Sequence, residues 1–228
     1  MHNNIRANFL NISKKIQSAC HQAQRSPEDV KLVAVSKLQS IEVIKEAYEY
    51  GINNFGENYA QELAKKSEEC PQDITWHFIG PIQSNKANLI AKYADWVHSI
   101  DRQKVAKKLN DALNLQGKKI HVLIQVNIDL EESKSGIHPN NVMNLARDIN
   151  TNYKNLMLEG LMFMPKINAT KKAKMETMSK ISNLQTAVLG ELPYCKNISL
   201  GTSSDFEESI IAGSTIIRIG ESLLGSRK

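Results

Sequence analysis

Lys37 is the residue whose position in this sequence best suits covalent chemistry. It follows the short apolar run Leu32–Val35, which is typical of a strand buried on both faces. A lysine at the end of such a strand has its stem in apolar surroundings, where desolvation favours the neutral amine. The neutral amine attacks carbonyl groups and forms Schiff bases. The alternative is a surface charge that reaches solvent from the strand end, which is common for lysine.

Two segments near the C-terminus have the composition of anion-binding loops. In Ser199-Leu-Gly-Thr-Ser-Ser204, a small hydroxyl-rich turn leads straight into a predicted helix. In Arg218-Ile-Gly-Glu221, a glycine lets the backbone approach a ligand closely at the start of another short helix. Exposed backbone N–H groups and the positive end of a helix favour an anion in both places. A helix cap and an ordinary turn are the alternatives.

Arg218 and His77 are the other polar residues placed inside apolar runs. Arg218 lies between Ile217 and Ile219, so we expect it to point inward and to need an acceptor, either in a structural salt bridge or in a ligand. His77 lies in the run Trp76–Gly80, where a lone histidine is more often a core residue than a catalyst. No second histidine or carboxylate has metal-ligand spacing near it, which predicts no metal site.

Composition indicates an ordinary soluble protein that does not bind nucleic acid. The 228 residues are 41% hydrophobic and 23% charged, and the net charge of +5 is spread over the chain in lysine pairs. Such pairs are typical of solvated helix faces, and Glu57 and Glu62 are interpreted as helix-start and helix-surface charges. The three cysteines are far apart, and no signal peptide or membrane span is evident, which indicates the cytoplasm.

Apolar periodicity predicts a single (β/α)₈ barrel preceded by a helix. Residues at steps of three and four predict an N-terminal helix within 1–26 that packs on the barrel. Eight alternations of a short apolar run with an amphipathic stretch follow, without a linker, so residues 1–228 are expected to form one domain. An open doubly wound sheet is the alternative, but no Gly-x-Gly-x-x-Gly fingerprint supports it. The predicted strands are Leu32–Val35, Ile52–Phe55, Ile74–Ile79, Trp96–Ile100, Ile120–Val126, Leu158–Met164, Ile198–Leu200 and Thr215–Ile219.

The barrel prediction brings these segments to one face. Active sites of such barrels lie at the carboxyl ends of the strands, and phosphate often binds in the loops after strands seven and eight. Lys37 follows strand one, and the two candidate anion loops follow strands seven and eight. An amine, a phosphate cradle and an inward arginine at one face are the features of a pyridoxal phosphate site.

The same segments resemble the pyridoxal phosphate homeostasis proteins of the YggS/PROSC type. The matching segments run in order along nearly the whole chain: Leu32-Val-Ala-Val-Ser-Lys37, Phe55-Gly-Glu-Asn-Tyr-Ala-Gln-Glu62, Trp76-His-Phe-Ile-Gly-Pro-Ile-Gln-Ser-Asn-Lys86, Val97-His-Ser-Ile-Asp101, Gln125-Val-Asn127, Lys134-Ser-Gly136, Leu158-Glu-Gly-Leu-Met162, Leu200-Gly-Thr-Ser-Ser-Asp205 and Arg218-Ile-Gly220.

This resemblance implies a fold similar to the barrel domain of alanine racemase and a set of cofactor contacts. Lys37 would form the Schiff base, and Arg218 would face the pyridine nitrogen, which discourages a protonated ring and weakens the cofactor as an electron sink. Asn58, His77 and Met162 would line the pocket. The phosphate would be surrounded by Ser199, Gly201, Thr202, Ser203, Gly220 and Glu221, the last two through their backbone N–H groups.

Three residues depart from the family pattern. The family usually carries methionine on both sides of the glycine in the strand-seven loop, where this chain has Leu200 and Thr202. It usually carries threonine in place of Glu221. A carboxylate beside a phosphate is repulsive unless it points away, so the backbone of Glu221 is the expected contact.

Two functions agree with these features. The first is a non-catalytic carrier that buffers pyridoxal phosphate and delivers it to apo-enzymes, thereby maintaining vitamin B6 and amino-acid homeostasis. The second is a pyridoxal-phosphate-dependent amino-acid racemase. Racemases of this fold carry a second, β-rich domain that supplies the opposite base, and we expect none here because the sequence ends at Lys228, after the eighth unit. We therefore favour a monomeric carrier.

Overall fold

The fold is a closed barrel of eight parallel strands that follow one another in chain order, β1 to β8. This architecture comes from a computed structural model that describes residues 4–166 and 170–226. The chain forms two compact units. The first lies within Met1–Gly80, Tyr93–Trp96 and Ser199–Lys228, and the second within Pro81–Lys92 and Val97–Ile198.

Each strand is followed by a helix, as in (β/α)₈ barrels. The strands are β1 Lys31–Val35, β2 Asn54–Glu57, β3 Thr75–Phe78, β4 Trp96–Ile100, β5 Ile120–Val126, β6 Leu156–Phe163, β7 Asn197–Ser199 and β8 Ile216–Ile219. The helices are α1 Ile5–Gln22, α2 Ile41–Glu49, α3 Ala60–Glu69, α4 Ala87–Tyr93, α5 Gln103–Gln116, α6 Val142–Asn152, α7 Lys171–Glu191, α8 Phe206–Ile211 and α9 Glu221–Leu224.

The predicted barrel with its N-terminal helix is confirmed, and the open-sheet alternative is wrong. Among the strands, the largest boundary error is at β2, which runs from Asn54 to Glu57 and is thus displaced by two residues at both ends from the prediction. The end of this strand therefore extends into the segment that was assigned to a helix start.

Within the first unit, α1 is attached to elements from the other end of the chain. Its apolar stripe is buried, and the Asn8 amide donates to the Leu223 carbonyl at 3.1 Å. Arg25, just beyond the helix, donates to the carbonyl oxygens of Ile210 and Ser214 at 3.1 and 2.9 Å. These contacts fix α1 against α8 and α9, which flank the two candidate anion loops.

The second unit is built around the long β5–β6 pair. Seven residue pairs join these strands, with a register shift between Val122 and Leu123. Gly160 in β6 has φ +150°, and a Cβ there would lie 1.9 Å from the Asn197 carbonyl oxygen, so the close approach requires glycine. Within the described ranges, no helix is long and apolar enough to cross a membrane.

Candidate functional site

Lys37 lies at the carboxyl end of β1, beside the ends of β8 and β2. Ala34 of β1 is in register with Ile219 of β8, and Val35 is in register with Gly56 of β2. The Lys37 side chain is half-buried. Its amine makes no hydrogen bond or ion pair with any residue in 4–166 or 170–226. The structure therefore places this amine where a ligand at the strand ends could reach it.

Residues of β1, β2, β3 and β8 share one face of the sheet. Glu57 contacts helix α3, so Gly56, its neighbour in β2, faces away from the helices. Gly56 is in register with His77, and a Cβ on Gly56 would lie 2.9 Å from a Val33 methyl group. Val33 is in register with Arg218. The side chains of His77 and Arg218 therefore both point away from the helices, on the inner face of the sheet.

Arg218 is buried in β8, and its acceptor comes from the neighbouring strand. A guanidinium N–H donates to the hydroxyl of Ser199, the last residue of β7. Burial lowers the pKa of Arg218 to about 10, although Asp205 acts in the opposite direction. The residue is therefore still a cation at neutral pH, held in place by Ser199.

The two candidate anion loops lie next to each other. The Ser222 hydroxyl donates to the Ser203 hydroxyl at 2.9 Å, which joins the start of α9 to the loop after β7. In the described part of the chain, the backbone N–H groups of Ser203, Ser204, Glu221 and Ser222 have no acceptor. Four donors without acceptors, around two joined hydroxyl groups, form a cradle with the chemistry that a phosphate requires.

Gly201 lets the β7–α8 loop lie close to helix α8. Its φ is +100°, and a Cβ would lie 2.8 Å from the Ser209 Cβ, so a side chain is excluded by both conformation and space. The next residue, Thr202, donates from its N–H at 2.7 Å and from its hydroxyl at 2.9 Å to one Asp205 oxygen. Both Thr202 donors are therefore used inside the loop, and Asp205 fixes the loop's shape.

The remaining predicted residues have differing surroundings. The side chain of Glu221 is exposed to solvent. The Asn58 side-chain oxygen is buried and has no hydrogen-bond partner among the described residues. His77 is buried, bonds to Asn54 at 3.1 Å and stacks on Trp96 with ring centroids 5.7 Å apart. Met162 belongs to the second unit, buried in β6 opposite Gln125.

A buried charged cluster contacts the backbone next to Lys37, and the sequence interpretation of it was wrong. The Lys66 amine, on α3, donates to Glu57 at 2.9 Å, to Glu62 at 2.7 Å and to the Ser36 carbonyl oxygen at 2.8 Å. Glu57 is fully buried in β2 and also accepts from the Ser36 hydroxyl at 2.6 Å. Glu57 is thus a strand residue, Lys66 is no solvated charge, and Glu62 is only partly a surface residue.

The two carboxyl groups of this cluster are shifted in opposite directions. Burial raises the pKa of Glu57, and the ion pair with Lys66 offsets this only in part. One Glu57 oxygen has no hydrogen-bond partner in the described residues, which agrees with that direction. Burial also acts to raise the pKa of Glu62, but hydrogen bonds from Lys66 and from the Leu38 N–H lower it overall.

Comparison with known proteins assigns the family. The family model described as "Alanine racemase, N-terminal domain" matches residues 5–228. A pyridoxal phosphate homeostasis protein from Vibrio alginolyticus is 42% identical over 228 residues, covering 98% of this chain and 97% of that protein. The chain belongs to the pyridoxal phosphate homeostasis family. The resemblance inferred from the sequence motifs is therefore confirmed.

Two solved structures are similar to this family member over almost its whole length. One is an unknown protein from Bifidobacterium adolescentis, with a TM-score of 0.90 and 28% identity, covering 96% of this chain and 94% of that one. The other is PipY of Synechococcus elongatus with PLP bound, with a TM-score of 0.81 and 29% identity, covering 94% of this chain and 100% of that one.

The residues of this family member fit a ligand that carries both a carbonyl group and a phosphate. The Lys37 amine could bond a carbonyl carbon, and the loops joined by Ser203 and Ser222 could hold a phosphate. The unpartnered Asn58 oxygen could accept from a hydroxyl group. No group of three or more metal-ligating side chains occurs in the ranges that the structure describes.

Proposed function

We propose that the protein binds pyridoxal 5′-phosphate as a Schiff base on Lys37. The observation that carries this proposal is that Lys37 and the two loops joined by Ser203 and Ser222 all lie within the first unit, with Lys37 just after β1, which pairs with β8. The relatives' name and the PLP-bound PipY structure support the choice of ligand. The cofactor supplies an aldehyde, which the Lys37 amine would attack.

The residues around Lys37 would each hold a different part of the cofactor. The phosphate would be bound by the cradle of Ser203, Ser204, Glu221 and Ser222 together with the backbone N–H of Gly220, with Gly201 allowing the approach. Thr202 would act by shaping its loop through Asp205. Ser199 would orient Arg218 and complete the phosphate end of the site. Asn58 and His77, both in the first unit, would line the pocket.

Arg218 supports a carrier rather than a catalyst. With a pKa of about 10, this buried guanidinium remains positively charged at neutral pH. Placed toward the pyridine nitrogen, it would oppose protonation of the ring. An unprotonated ring withdraws electrons poorly, so the bound cofactor would be a weak catalyst of reactions at the amino-acid α-carbon.

We therefore propose a non-catalytic carrier that buffers pyridoxal phosphate and delivers it to apo-enzymes. This would maintain vitamin B6 and amino-acid homeostasis in the cytoplasm, with residues 1–228 acting as a single binding domain in a monomer. The three cysteines are free and buried, which suits a reducing compartment. Amino-acid racemisation is the second candidate, because the matching family model is the N-terminal domain of alanine racemase.

Borohydride trapping tests the proposal. Protein loaded with pyridoxal phosphate should absorb visible light, and borohydride reduction followed by peptide mapping should label Lys37. Lys37→Ala should lose the label, whereas Lys65→Ala, at an exposed lysine of α3, should keep it. Protein that remains colourless, or labelling at another lysine, would refute the assignment. Racemisation of single-enantiomer alanine that Lys37→Ala abolishes would establish the racemase instead.

A further inference from the structure

The two peptide groups that flank Lys37 are both held by side chains of helix α3. The Ser36 carbonyl oxygen accepts from the Lys66 amine at 2.8 Å, and the Leu38 N–H donates to Glu62 at 2.8 Å. Lys66 and Glu62 are themselves paired at 2.7 Å, one helical turn apart. A single ion pair therefore contacts the backbone immediately before and immediately after Lys37.

The Lys66 ammonium group is fully used by this arrangement. Its three protons meet three acceptors, namely Glu57, Glu62 and the Ser36 carbonyl oxygen. Only about 5% of the residue is exposed. A buried ion pair contributes little net stability compared with a well-packed apolar group, so stability alone is a weak reason for a lysine here. Such groups are better explained by the geometry that they impose.

The geometry imposed here is an uncommon backbone conformation. Leu38 has φ +60°, in the left-handed region that non-glycine residues seldom adopt, and its side chain is exposed. Such a conformation is energetically unfavourable and persists where surrounding contacts determine it. The Glu62 bond to the Leu38 N–H is such a contact, and the bond from the Gln39 N–H to the Ser36 carbonyl oxygen at 2.9 Å is another.

We propose that Lys66 and Glu62 are positioning residues that fix the turn carrying Lys37, so that its amine meets the aldehyde of the bound cofactor. This inference rests on the proposed function. In the step concerned, a C=N bond forms between the Lys37 nitrogen and the aldehyde carbon. The aldehyde oxygen leaves as water with the two amine hydrogens. A loosened turn would hold the amine in the reactive position for a smaller fraction of the time, and the apparent affinity for the aldehyde would fall by that fraction.

The effect should be confined to the covalent step. The phosphate cradle is formed by Ser203 and Ser222, and its shape depends on Asp205 and Gly201. None of these residues is bonded to Lys66 or Glu62 in the described structure. A ligand that has the phosphate but lacks the aldehyde should therefore bind independently of the cluster.

Comparison of two ligands tests this inference. Pyridoxal phosphate can form the C=N bond, whereas pyridoxine 5′-phosphate carries an alcohol in place of the aldehyde. The ratio of their dissociation constants measures the covalent contribution. Lys37→Ala lacks this covalent contribution, so the ratio measured for that variant is the reference value for no covalent bond. We expect Glu62→Ala to reduce the covalent contribution about tenfold or more, with the affinity for pyridoxine 5′-phosphate unchanged. Glu62→Gln, which keeps an oxygen for the Leu38 N–H, should restore most of it.

The controls separate failure of this inference from failure of the proposed function. Lys66→Met should behave like Glu62→Ala, and Lys65→Met, at an exposed lysine on the same helix, should match the unmodified protein. If Lys66→Met does not fold, the two Glu62 variants decide. A Glu62→Ala protein with an unchanged ratio, or with equal loss of both ligands, would overturn the positioning role. An unmodified protein whose ratio already equals that of Lys37→Ala would instead overturn the proposed function.

Discussion

Replacing Lys66 by methionine should destabilise the protein far more than the same change at Lys65. The two lysines are adjacent on α3, but Lys65 is exposed whereas the Lys66 side chain is 6% exposed and lies 2.9 Å from the fully buried Glu57. Methionine keeps an unbranched stem of similar length, so packing changes little. What is lost is the cation, which leaves Glu57 as an uncompensated charge in the interior.

The size of the effect follows from the burial of the two partners. Removing one partner of a buried ion pair costs about 3–5 kcal/mol. The second pair, with Glu62, adds only about 0–1 kcal/mol because that carboxylate is 27% exposed. We therefore expect the free energy of unfolding to fall by about 3–5 kcal/mol in Lys66→Met, against within about 0.5 kcal/mol in Lys65→Met. Adding Glu57→Gln to Lys66→Met should recover about 2 kcal/mol, because the unpaired charge is then removed.

Urea unfolding at two pH values provides the assay. Burial raises the pKa of Glu57 in the folded protein above its ordinary value of 4.5. A carboxyl group whose pKa is raised by folding makes its full contribution to stability at pH values below its pKa in the unfolded chain. That contribution is lost as the pH rises through its pKa in the folded protein. Without Lys66 the pKa of Glu57 in the folded protein should be raised further. The loss of stability in Lys66→Met should therefore be greatest at pH 7 and smaller near pH 5. Equal midpoints for Lys66→Met and Lys65→Met, or a defect that grows toward pH 5, would refute the reasoning.

Two further predictions concern the phosphate loop and the cysteines. Gly201→Ala should lower the affinity of the protein for pyridoxine 5′-phosphate about tenfold or more, because the new Cβ would lie 2.8 Å from the Ser209 Cβ. Gly213→Ala, at the same φ of +100° but with no atom within 4 Å, should lower stability alone. Equal affinities of the two variants for this ligand would contradict the prediction. Burial raises the pKa of the Cys195 thiol to about 12 and also raises those of Cys20 and Cys70, so a thiol reagent at pH 8 should react slowly with folded protein and rapidly in urea. Rapid labelling of the folded protein would contradict the burial of these residues.

The architecture was predictable because its signal repeats along the chain. Each strand had an apolar run and each helix an amphipathic stretch, so an error at one boundary left the count of eight unchanged. The inward direction of Arg218 was predictable for the same reason, since Ile217 and Ile219 define the strand around it. The acceptor of the Arg218 guanidinium was not predictable in this way, because Ser199 becomes a neighbour of Arg218 only through the pairing of β7 with β8.

The buried cluster was missed because of one boundary. With β2 placed at Ile52–Phe55, Glu57 fell outside the strand and was interpreted as a helix-start charge. The strand in fact runs Asn54–Glu57, and side chains two residues apart share a face, so Glu57 lies on the same side as the buried Phe55. That side faces α3.

The periodicity of α3 contained the matching signal. Ala60 and Leu63 are buried three residues apart, and the next position at this step is Lys66, so the helix places a lysine on its buried face. A buried lysine on a helix requires an acceptor on the strand beneath it, and Glu57 is the carboxylate whose parity in β2 points to that helix. Together, the two-residue period of β2 and the helical period of α3 identify the Glu57–Lys66 pair from the amino-acid sequence. Because Ser36, one residue before Lys37, bonds to both partners, the same reasoning places this charged pair at the turn that carries the candidate Schiff-base lysine.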